Sequence, residues 1–324
     1  MIGLHKKLVS LTSVGPSMLG SAGAGLPALY LDFTAAILPS GVTLTRASAN
    51  ARRYNSAGVL VTETTDVARF DYDPVTLELR GLLIEPAATN LLLRSGTFDN
   101  ASWVKTAASV SADAIADPTG GTGADSLIEN TANSAHLIQQ SISFTSGQNY
   151  VLSVHAKANS RSRIRNNLPS AQFGGSNIQR QFNVATGAAV NAGNATASGI
   201  EAAGAGFWRT WIRHAAAASS SGSPSFWLCD DAEATSYTGD GTSNLRLWGA
   251  QLEVGLKPTS PIATTASTAT RAADVCSFTI PAGVSALIYT FDDDSTQTVS
   301  VTPGAYQIPT NLNRAHIKTI ASVA

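Results

Sequence analysis

One strand-like segment, residues 207–214, places aromatic and cationic side chains where they can meet a sugar. Successive side chains of a β-strand point to opposite faces, so Trp211 shares a face with Arg209 and Arg213. Because buried charges are costly, a tryptophan between two arginines is a poor candidate for a dry core. Its ring can instead stack on the C–H face of a pyranose. The alternative, which stays open, is that the arginine stems cover Trp211 at a subunit interface.

Two further features can extend such a surface. Trp227 alternates with apolar neighbours, so one of the two sets faces the core and the other faces outward. Arg161, Arg163 and Arg165 would project from one face of an extended segment. Guanidinium groups bind carboxylates and sulfates in bidentate fashion, so this row predicts contact with an acidic polysaccharide. A solvated outer face is the alternative.

Familiar catalytic motifs are absent from the sequence: there is no GxSxG, no HExxH and no phosphate-binding loop. The five histidines are scattered, with no spacing typical of metal ligands. Glycoside hydrolysis needs only two nearby carboxylates, so Asp71 with Asp73 and Asp230 or Asp231 with Asp240 remain alternatives. Acidic side chains in loops usually lie in solvent-exposed turns, however. We therefore expect a protein that is not an enzyme.

Composition narrows the class of protein. Of the 324 residues only 13 % are charged and the net charge is −1, which excludes a strongly basic protein that neutralises nucleic-acid phosphates. Two cysteines, Cys229 and Cys276, cannot make a disulfide framework. No stretch approaches the apolar length of a membrane span. We expect neither a nucleic-acid partner nor membrane insertion.

The elements that must hold these residues are strands. Residues 150–158 alternate between apolar and polar side chains with a period of two, and so do residues 136–144 before them. The link at 145–149 is typical of a hairpin, and no segment shows a sustained helical period. The pattern predicts an all-β fold built as an antiparallel β-sandwich. Trp103 and Trp248 are expected to pack inside it.

The composition along the chain predicts four regions. Residues 10–28 are rich in Gly, Ser, Ala and Pro and cannot hold a helix or strand together, so residues 1–27 are expected to form an extended arm. A connecting β region spans 28–95, the sandwich spans 96–256, and a linker with a small C-terminal β unit spans 257–324.

Three groups of motifs carry a family resemblance. They are Leu44-Thr45-Arg46-Ala47-Ser48 with Arg69-Phe70-Asp71-Tyr72-Asp73-Pro74, Gly81-Leu82-Leu83-Ile84-Glu85-Pro86 and Thr89-Asn90-Leu91-Leu92; Tyr237-Thr238-Gly239-Asp240-Gly241-Thr242-Ser243 with Leu247-Trp248-Gly249-Ala250-Gln251-Leu252-Glu253; and Pro309-Thr310-Asn311-Leu312-Asn313-Arg314. Together they resemble the head-fibre and tail-fibre or tail-spike proteins of bacteriophages. The resemblance covers most of residues 28–324.

The middle region also resembles jelly-roll carbohydrate-binding modules. Its loop at 95–99 leads to Trp103, and its closing strand is similar to residues 245–253. The resemblance implies a jelly-roll topology. In those modules adjacent acids on the final strand help to hold a structural calcium, whereas this chain has Gln251 and Glu253 near that place. We predict no cofactor, with structural calcium as the open alternative.

The resemblances imply a virion protein, a head or tail fibre or spike, that attaches to the host surface by binding polysaccharide. The arm would hold other virion proteins, and the chain would form a homotrimer. Two alternatives stay open. One is a tail-spike-type polysaccharide depolymerase, a glycosidase or a lyase; the other is a decoration protein that binds no glycan.

Overall fold

The computed structural model describes residues 27–191 and 193–323, and its regular structure is almost all β. The predicted all-β, antiparallel sandwich is confirmed. The one helical element in the described residues is a 3₁₀ turn, Ser170–Gln172. No helix in this part of the chain is long and apolar enough to cross a membrane. The predicted arm lies outside the described residues, apart from Pro27.

Seven short strands precede the sandwich. They are β1 (Tyr30–Asp32), β2 (Thr43–Thr45), β3 (Ala51–Tyr54), β4 (Leu60–Glu63), β5 (Phe70–Tyr72), β6 (Leu79–Leu83) and β7 (Ala88–Asn90). The sandwich region follows with β8 (Val104–Thr106), β9 (Ala108–Ile115), β10 (Ala124–Glu129), β11 (Asn133–Ser134), β12 (His136–Gln139), β13 (Ile142–Phe144), β14 (Asn149–Lys157), β15 (Arg163–Leu168), β16 (Ile178–Asn183), β17 (Ala188–Val190), β18 (Ala197–Ala202), β19 (Trp208–Ala215), β20 (Ser220–Gly222), β21 (Ser225–Cys229), β22 (Tyr237–Thr238) and β23 (Asn244–Val254). The last six are β24 (Ala269–Arg271), β25 (Val275–Ile280), β26 (Ala286–Phe291), β27 (Thr296–Ser300), β28 (Gly304–Gln307) and β29 (His316–Ser322).

Two six-stranded antiparallel sheets make the sandwich. Their strand orders are β18-β19-β14-β23-β10-β9 and β17-β16-β15-β21-β12-β8. The period-two pattern turns Leu152, Val154 and Ala156 of β14 into the space between the sheets, where they are fully buried. Trp103 also lies between the sheets, with 1 % of its surface exposed. Burial of these apolar faces against each other is the main force that holds the sandwich together.

A second β unit, called here the flanking unit, combines residues from both sides of the sandwich. Its main sheet runs β27-β26-β29-β6-β5, and β1 pairs with β29. The prediction of separate regions at 28–95 and 257–324 needs this correction: strands of the two regions share one sheet and one apolar core. The physical reason is that short strands such as β1, three residues long, can bury their apolar side chains only by joining partners.

Trp248 lies at the junction of the two units rather than inside the sandwich. It packs with Leu60 of β4, Ala124, Ala203 and Phe207. The guanidinium carbon of Arg52 lies 5.3 Å from the centroid of the Trp248 ring. The expectation that Trp248 packs between the two sheets was therefore wrong, because the flanking unit covers the face on which it lies.

A buried ionic network ties distant parts of the flanking unit together. The Thr-Arg-Ala tripeptides at 45–47 and 270–272 bring Arg46 to Asp274 and Arg271 to both Asp274 and Glu85. Arg69 binds both acids, with 2.7 Å between its Nη1 and Glu85 Oε2. Burial alone would raise the pKa of Glu85, but the arginine charges hold it well below its ordinary value. Each buried charge here depends on its partners, because an unpaired buried charge is costly.

Candidate functional site

The outer face of the β18–β19 sheet meets the flanking unit along a cleft of about 420 Å³. Strands β18 and β19 supply one wall. The opposite wall comes from β3, from β5 and from the segment that leads into β29. The cleft is therefore lined by residues that are far apart in sequence, and its shape depends on both units.

An aromatic ring lines the sandwich wall. Trp211 projects outward from β19, as the period of two predicts, and lies against Gly199 of β18, its cross-strand partner. A Cβ atom at Gly199 would lie 2.5 Å from Trp211 Nε1, so glycine is what allows the indole to rest against the neighbouring strand. Trp211 Nε1 donates a hydrogen bond to Glu201 at 3.3 Å. The result is a half-buried aromatic platform with a carboxylate at its edge.

A histidine between two carboxylates lines the flanking wall. His316 Nε2 lies 2.8 Å from Asp71 Oδ2, and His316 Nδ1 lies 3.8 Å from Asp292 Oδ2. Arg314 holds Asp292 with two hydrogen bonds of 2.5 and 2.9 Å. Burial alone would raise the pKa of Asp292, but the Arg314 hydrogen bond and the nearby positive charges lower it. The hydrogen bond to Asp71 favours the tautomer with the proton on Nε2, which leaves Nδ1 able to accept a proton.

Two more ionisable side chains in the cleft are kept uncharged by their surroundings. Burial, and then the charge of Arg209, lowers the pKa of His155 well below its ordinary value. The phenol of Tyr54 is protonated at neutral pH at its ordinary pKa, and burial raises that pKa further. The backbone N–H of Tyr54 donates to Asp71 Oδ1 at 2.6 Å, which fixes Asp71 from the side opposite His316. The cleft thus holds protonated and unprotonated groups side by side, as acid–base chemistry requires.

The predicted sugar-contacting residues do not form one surface. Of those residues, Trp211 and Arg209 line the cleft. Arg213 lies on the same sheet face but donates to the carbonyl oxygen of Leu256 at 3.1 Å. Trp227, Arg163 and Arg165 belong to the other sheet, and Arg161 lies just before that sheet's strand β15. The structure therefore separates the predicted set into two groups on opposite sides of the sandwich.

The arginine row is not a row of free charges. Arg161 makes two hydrogen bonds to Glu129, of 2.9 and 2.6 Å, and Arg163 binds Glu233 at 2.9 Å. Arg165 has no acidic group within 4 Å among the described residues, and its guanidinium carbon lies 4.5 Å from the centroid of the Trp227 ring. Two of the three arginines are thus already paired with acids, which limits how well the three together could bind an acidic polymer.

Sequence reasoning missed most of the cleft. It retained Asp71 only in combination with Asp73, yet Asp73 caps its own turn and binds Arg80 at 2.7 Å. It treated His316 as one of several scattered histidines. The pair Asp71 and His316 is separated by 245 residues, and no local spacing could have joined them. The other acidic alternative, Asp240, hydrogen-bonds to Thr242 and Ser243 within a turn.

The residues at the position implied for calcium fit the ion poorly. Glu253 accepts hydrogen bonds from Gln251 Nε2 at 2.8 Å and from Thr259 N and Oγ1 at 2.9 and 2.7 Å. Gln251 accordingly presents its NH₂ group, a donor, to the carboxylate. Among the described residues no group of three or more His, Cys, Asp or Glu side chains has the arrangement of a metal site.

Comparisons with known proteins give little direct information. No protein-family model matches the chain, and no curated protein matches it. Among solved structures the chain is similar to the enzymatically active domain of tailspike protein 4 of bacteriophage CBA120, with 13 % sequence identity and a TM-score of 0.31. The match covers 50 % of this chain and 21 % of that structure. A likeness of this size carries no residue roles across.

The comparison nevertheless corrects one expectation. We expected a protein that is not an enzyme; the solved structure to which the chain is similar is an enzymatically active tailspike domain, so that expectation is not retained. The expectation rested on motifs and local spacing alone. The cleft brings together carboxylates and a histidine that local spacing cannot reveal.

Proposed function

We propose that this chain is a bacteriophage tail-spike-type virion protein that binds a polysaccharide of the host surface in the cleft and cleaves it. One observation carries the proposal. The aromatic platform of Trp211 and the acid–base group of Asp71, His316 and Asp292 line the same cleft. A pyranose ring that stacks on Trp211 would share the cleft with groups that can move protons.

The cleft supplies what glycosidic bond hydrolysis needs. Water adds across the bond: the leaving oxygen gains a proton, and the anomeric carbon gains a hydroxyl group whose other proton an acceptor takes. His316 Nδ1 is the proton acceptor on the flanking wall, oriented by Asp71 through Nε2. Glu201 supplies a carboxyl group beside Trp211 on the sandwich wall. Glu201 and His316 thus bring two acid–base groups to one cleft, and the reaction requires two such groups.

The test is the release of new reducing ends from purified surface polysaccharide of the host. Asp71→Asn keeps an acceptor oxygen for the Tyr54 N–H but removes the negative charge beside His316. We expect it to lower the rate by about 10²-fold or more, the usual contribution of an acid–base group. Asp73→Asn is the matched control, because Asp73 lies two residues away and outside the cleft lining. Equal rates in the two variants would contradict the proposed site.

A second candidate function is attachment through glycan binding without cleavage. The observation that favours it is the half-exposed Trp227 on the other sheet, with Arg165 stacked over its ring. Intact protein that retains polysaccharide on a column but releases no reducing ends would support this function over the first. Binding that survives Trp211→Ala and disappears in Trp227→Ala would locate it.

Two features of assembly belong to the same proposal. The chain forms a homotrimer, supported by its low charge and its many small hydroxyl side chains; a monomeric mass by light scattering at micromolar concentration would refute it. Residues 1–27 attach the chain to other virion proteins. Deleting them is expected to abolish incorporation into particles while the thermal stability of the remainder stays nearly unchanged.

A further inference from the structure

We infer that the polysaccharide taken by the cleft is a polyanion and that Arg209 contacts its acidic group. This inference rests on the proposed function and adds the chemical class of the substrate. It starts from the position of Arg209 on β19, two residues before Trp211 on the same sheet face, where it lines the cleft.

Arg209 is a buried charge without an acidic partner. It is 7 % exposed, and no carboxylate of the described residues lies within 4 Å of its guanidinium, although Glu201 is its cross-strand neighbour. Glu201 instead accepts a hydrogen bond from the indole of Trp211. Burial raises the pKa of Glu253 and the charge of Arg209 opposes that rise, but the two groups make no ion pair within 4 Å and Glu253 accepts its hydrogen bonds from Gln251 and Thr259. A buried guanidinium with no acid in direct contact costs free energy, which an arriving anion offsets.

The hydrogen bonds of Arg209 leave donors for a ligand. Its Nη1 donates to the carbonyl oxygen of Thr259 at 2.6 Å, and its Nη2 donates to Ser153 Oγ at 3.0 Å. Both acceptors are neutral. A guanidinium has five N–H donors, so these two bonds leave three: one N–H on the buried Nε and one on each terminal nitrogen. The two bonds hold the group in place while the remaining donors suit a carboxylate or sulfate.

The other charges of the cleft point the same way. Six arginine and lysine side chains line it against four carboxylates, an excess of two positive charges in a chain whose net charge is −1. Asp292 is neutralised by Arg314 and Glu85 by the buried network, while Arg53 and Arg80 are neutralised by Glu63 and Asp73. The cations of the lining with no acid within 4 Å in the described residues are Arg52, Arg209 and Lys257, and they outnumber the two remaining acids, Asp71 and Glu201. Among the acids that line the cleft, Glu201 alone has neither an arginine nor a histidine within 4 Å in the described residues. The cleft therefore presents a net positive field to its substrate.

The experiment uses the full-length protein and a panel of polymers: alginate, hyaluronan and polygalacturonate as polyanions, the carboxyl-reduced form of each, and dextran as a neutral polymer. Binding and release of reducing ends are measured for each. We expect at least tenfold weaker binding of the carboxyl-reduced polymers and weaker binding of the polyanions as salt is raised. Arg209→Gln should remove this preference, and Arg209→Lys, which keeps the charge, should retain part of it.

Arg165→Gln is the matched control, since Arg165 is 8 % exposed on the other sheet and does not line the cleft. Thermal unfolding of each variant separates lost binding from lost fold. Equal action on the polyanions and their reduced forms, or an unchanged preference in a folded Arg209→Gln, would overturn the inference and leave the proposed function standing. If no polymer of the panel is bound or cleaved, the inference is overturned, and the host-polysaccharide assay decides the proposed function separately.

Discussion

Each outer face of the sandwich combines a half-exposed tryptophan with a buried arginine: Trp211 with Arg209 on one sheet, Trp227 with Arg165 on the other. On the second face the arginine stacks over the indole, and Trp227 Nε1 donates to Ser225 Oγ at 2.7 Å. On the first face the indole rests on a glycine and the arginine is held by neutral acceptors, so both remain turned toward the cleft.

The difference between the faces comes from what lies opposite them. The flanking unit stands over the first face and adds Asp71, His316 and Asp292, whereas the cleft does not extend to the second. Similar residues on the two sheet faces therefore differ in the chemistry that they can support. The comparison teaches that side chains on one sheet need a second wall before they can act on a bound molecule.

The largest expected effect tests whether the tryptophans lie inside or outside the sandwich. Trp103 packs between the sheets, with ring centroids 5.0 Å from Phe98 and 6.2 Å from Phe226. Trp103→Ala should lower the free energy of unfolding by about 3–5 kcal/mol, since it removes a fully buried aromatic ring. Trp211→Ala should cost about 1 kcal/mol or less. Chemical denaturation measures both, and equal losses would show that Trp211 is part of the core.

The next largest effect tests the buried ionic network of the flanking unit, which stands over the sheet face that carries Trp211. Glu85→Gln removes one charge of the buried network and should lower the free energy of unfolding at pH 7 by about 3 kcal/mol. The pKa of Glu85 is depressed in the folded state, so its stabilisation is present above its unfolded pKa of about 4.5 and is lost as the pH falls below it. The difference in the free energy of unfolding between wild type and Glu85→Gln should shrink as the pH falls from about 5 to about 3, because this range includes the unfolded pKa. A difference that stays constant over this range would contradict the linkage.

A smaller effect tests the aromatic platform of Trp211. Gly199→Ala places a methyl group where Trp211 lies and should displace the indole. We expect about tenfold weaker polysaccharide binding, equivalent to about 1.4 kcal/mol. Gly96→Ala is the control, because its added Cβ would have no neighbour closer than 3.8 Å. Unaltered binding in a folded Gly199→Ala protein would remove Trp211 from the site.

The smallest effect is expected on the second sheet face, which carries Trp227 and does not meet the cleft. Trp227→Ala should change the rate of reducing-end release by less than about twofold, since a partly exposed residue away from a site has little energetic influence on it. A large loss of cleavage with the fold intact would show that the two faces act on the same polymer chain.

Much of the fold could be predicted from the sequence because alternation is a local signal. The period of two in residues 150–158 is enough to predict the direction of each side chain, and the same rule turns Trp211 outward. The arginine row shows the limit of the rule. It predicts the face of Arg161 and Arg163, but their ion pairs with Glu129 and Glu233 depend on tertiary contacts across 32 and 70 residues.

The candidate site lies further beyond local signals. Asp71 is on β5 and His316 begins β29, and the two meet because β29 pairs with β6, the neighbour of β5. This pairing depends on a shared apolar core, for which hydrophobic strands are interchangeable at the sequence level. The buried arginines were likewise hidden, since arginine is usually exposed and only the partners of Arg46 explain its burial.

The pairing of β1 with β29 joins residues 30–32 to residues 319–321, and the whole sandwich lies between these two strands in the sequence. Long loops must close before such contacts form, which makes them slow steps in folding. The sandwich, contiguous over 96–256, can complete its sheets while a ribosome is still adding the strands that the flanking unit requires. We therefore expect the cleft to be the last part of the chain to mature, so that a nascent or truncated protein would have a folded sandwich before it had a working site.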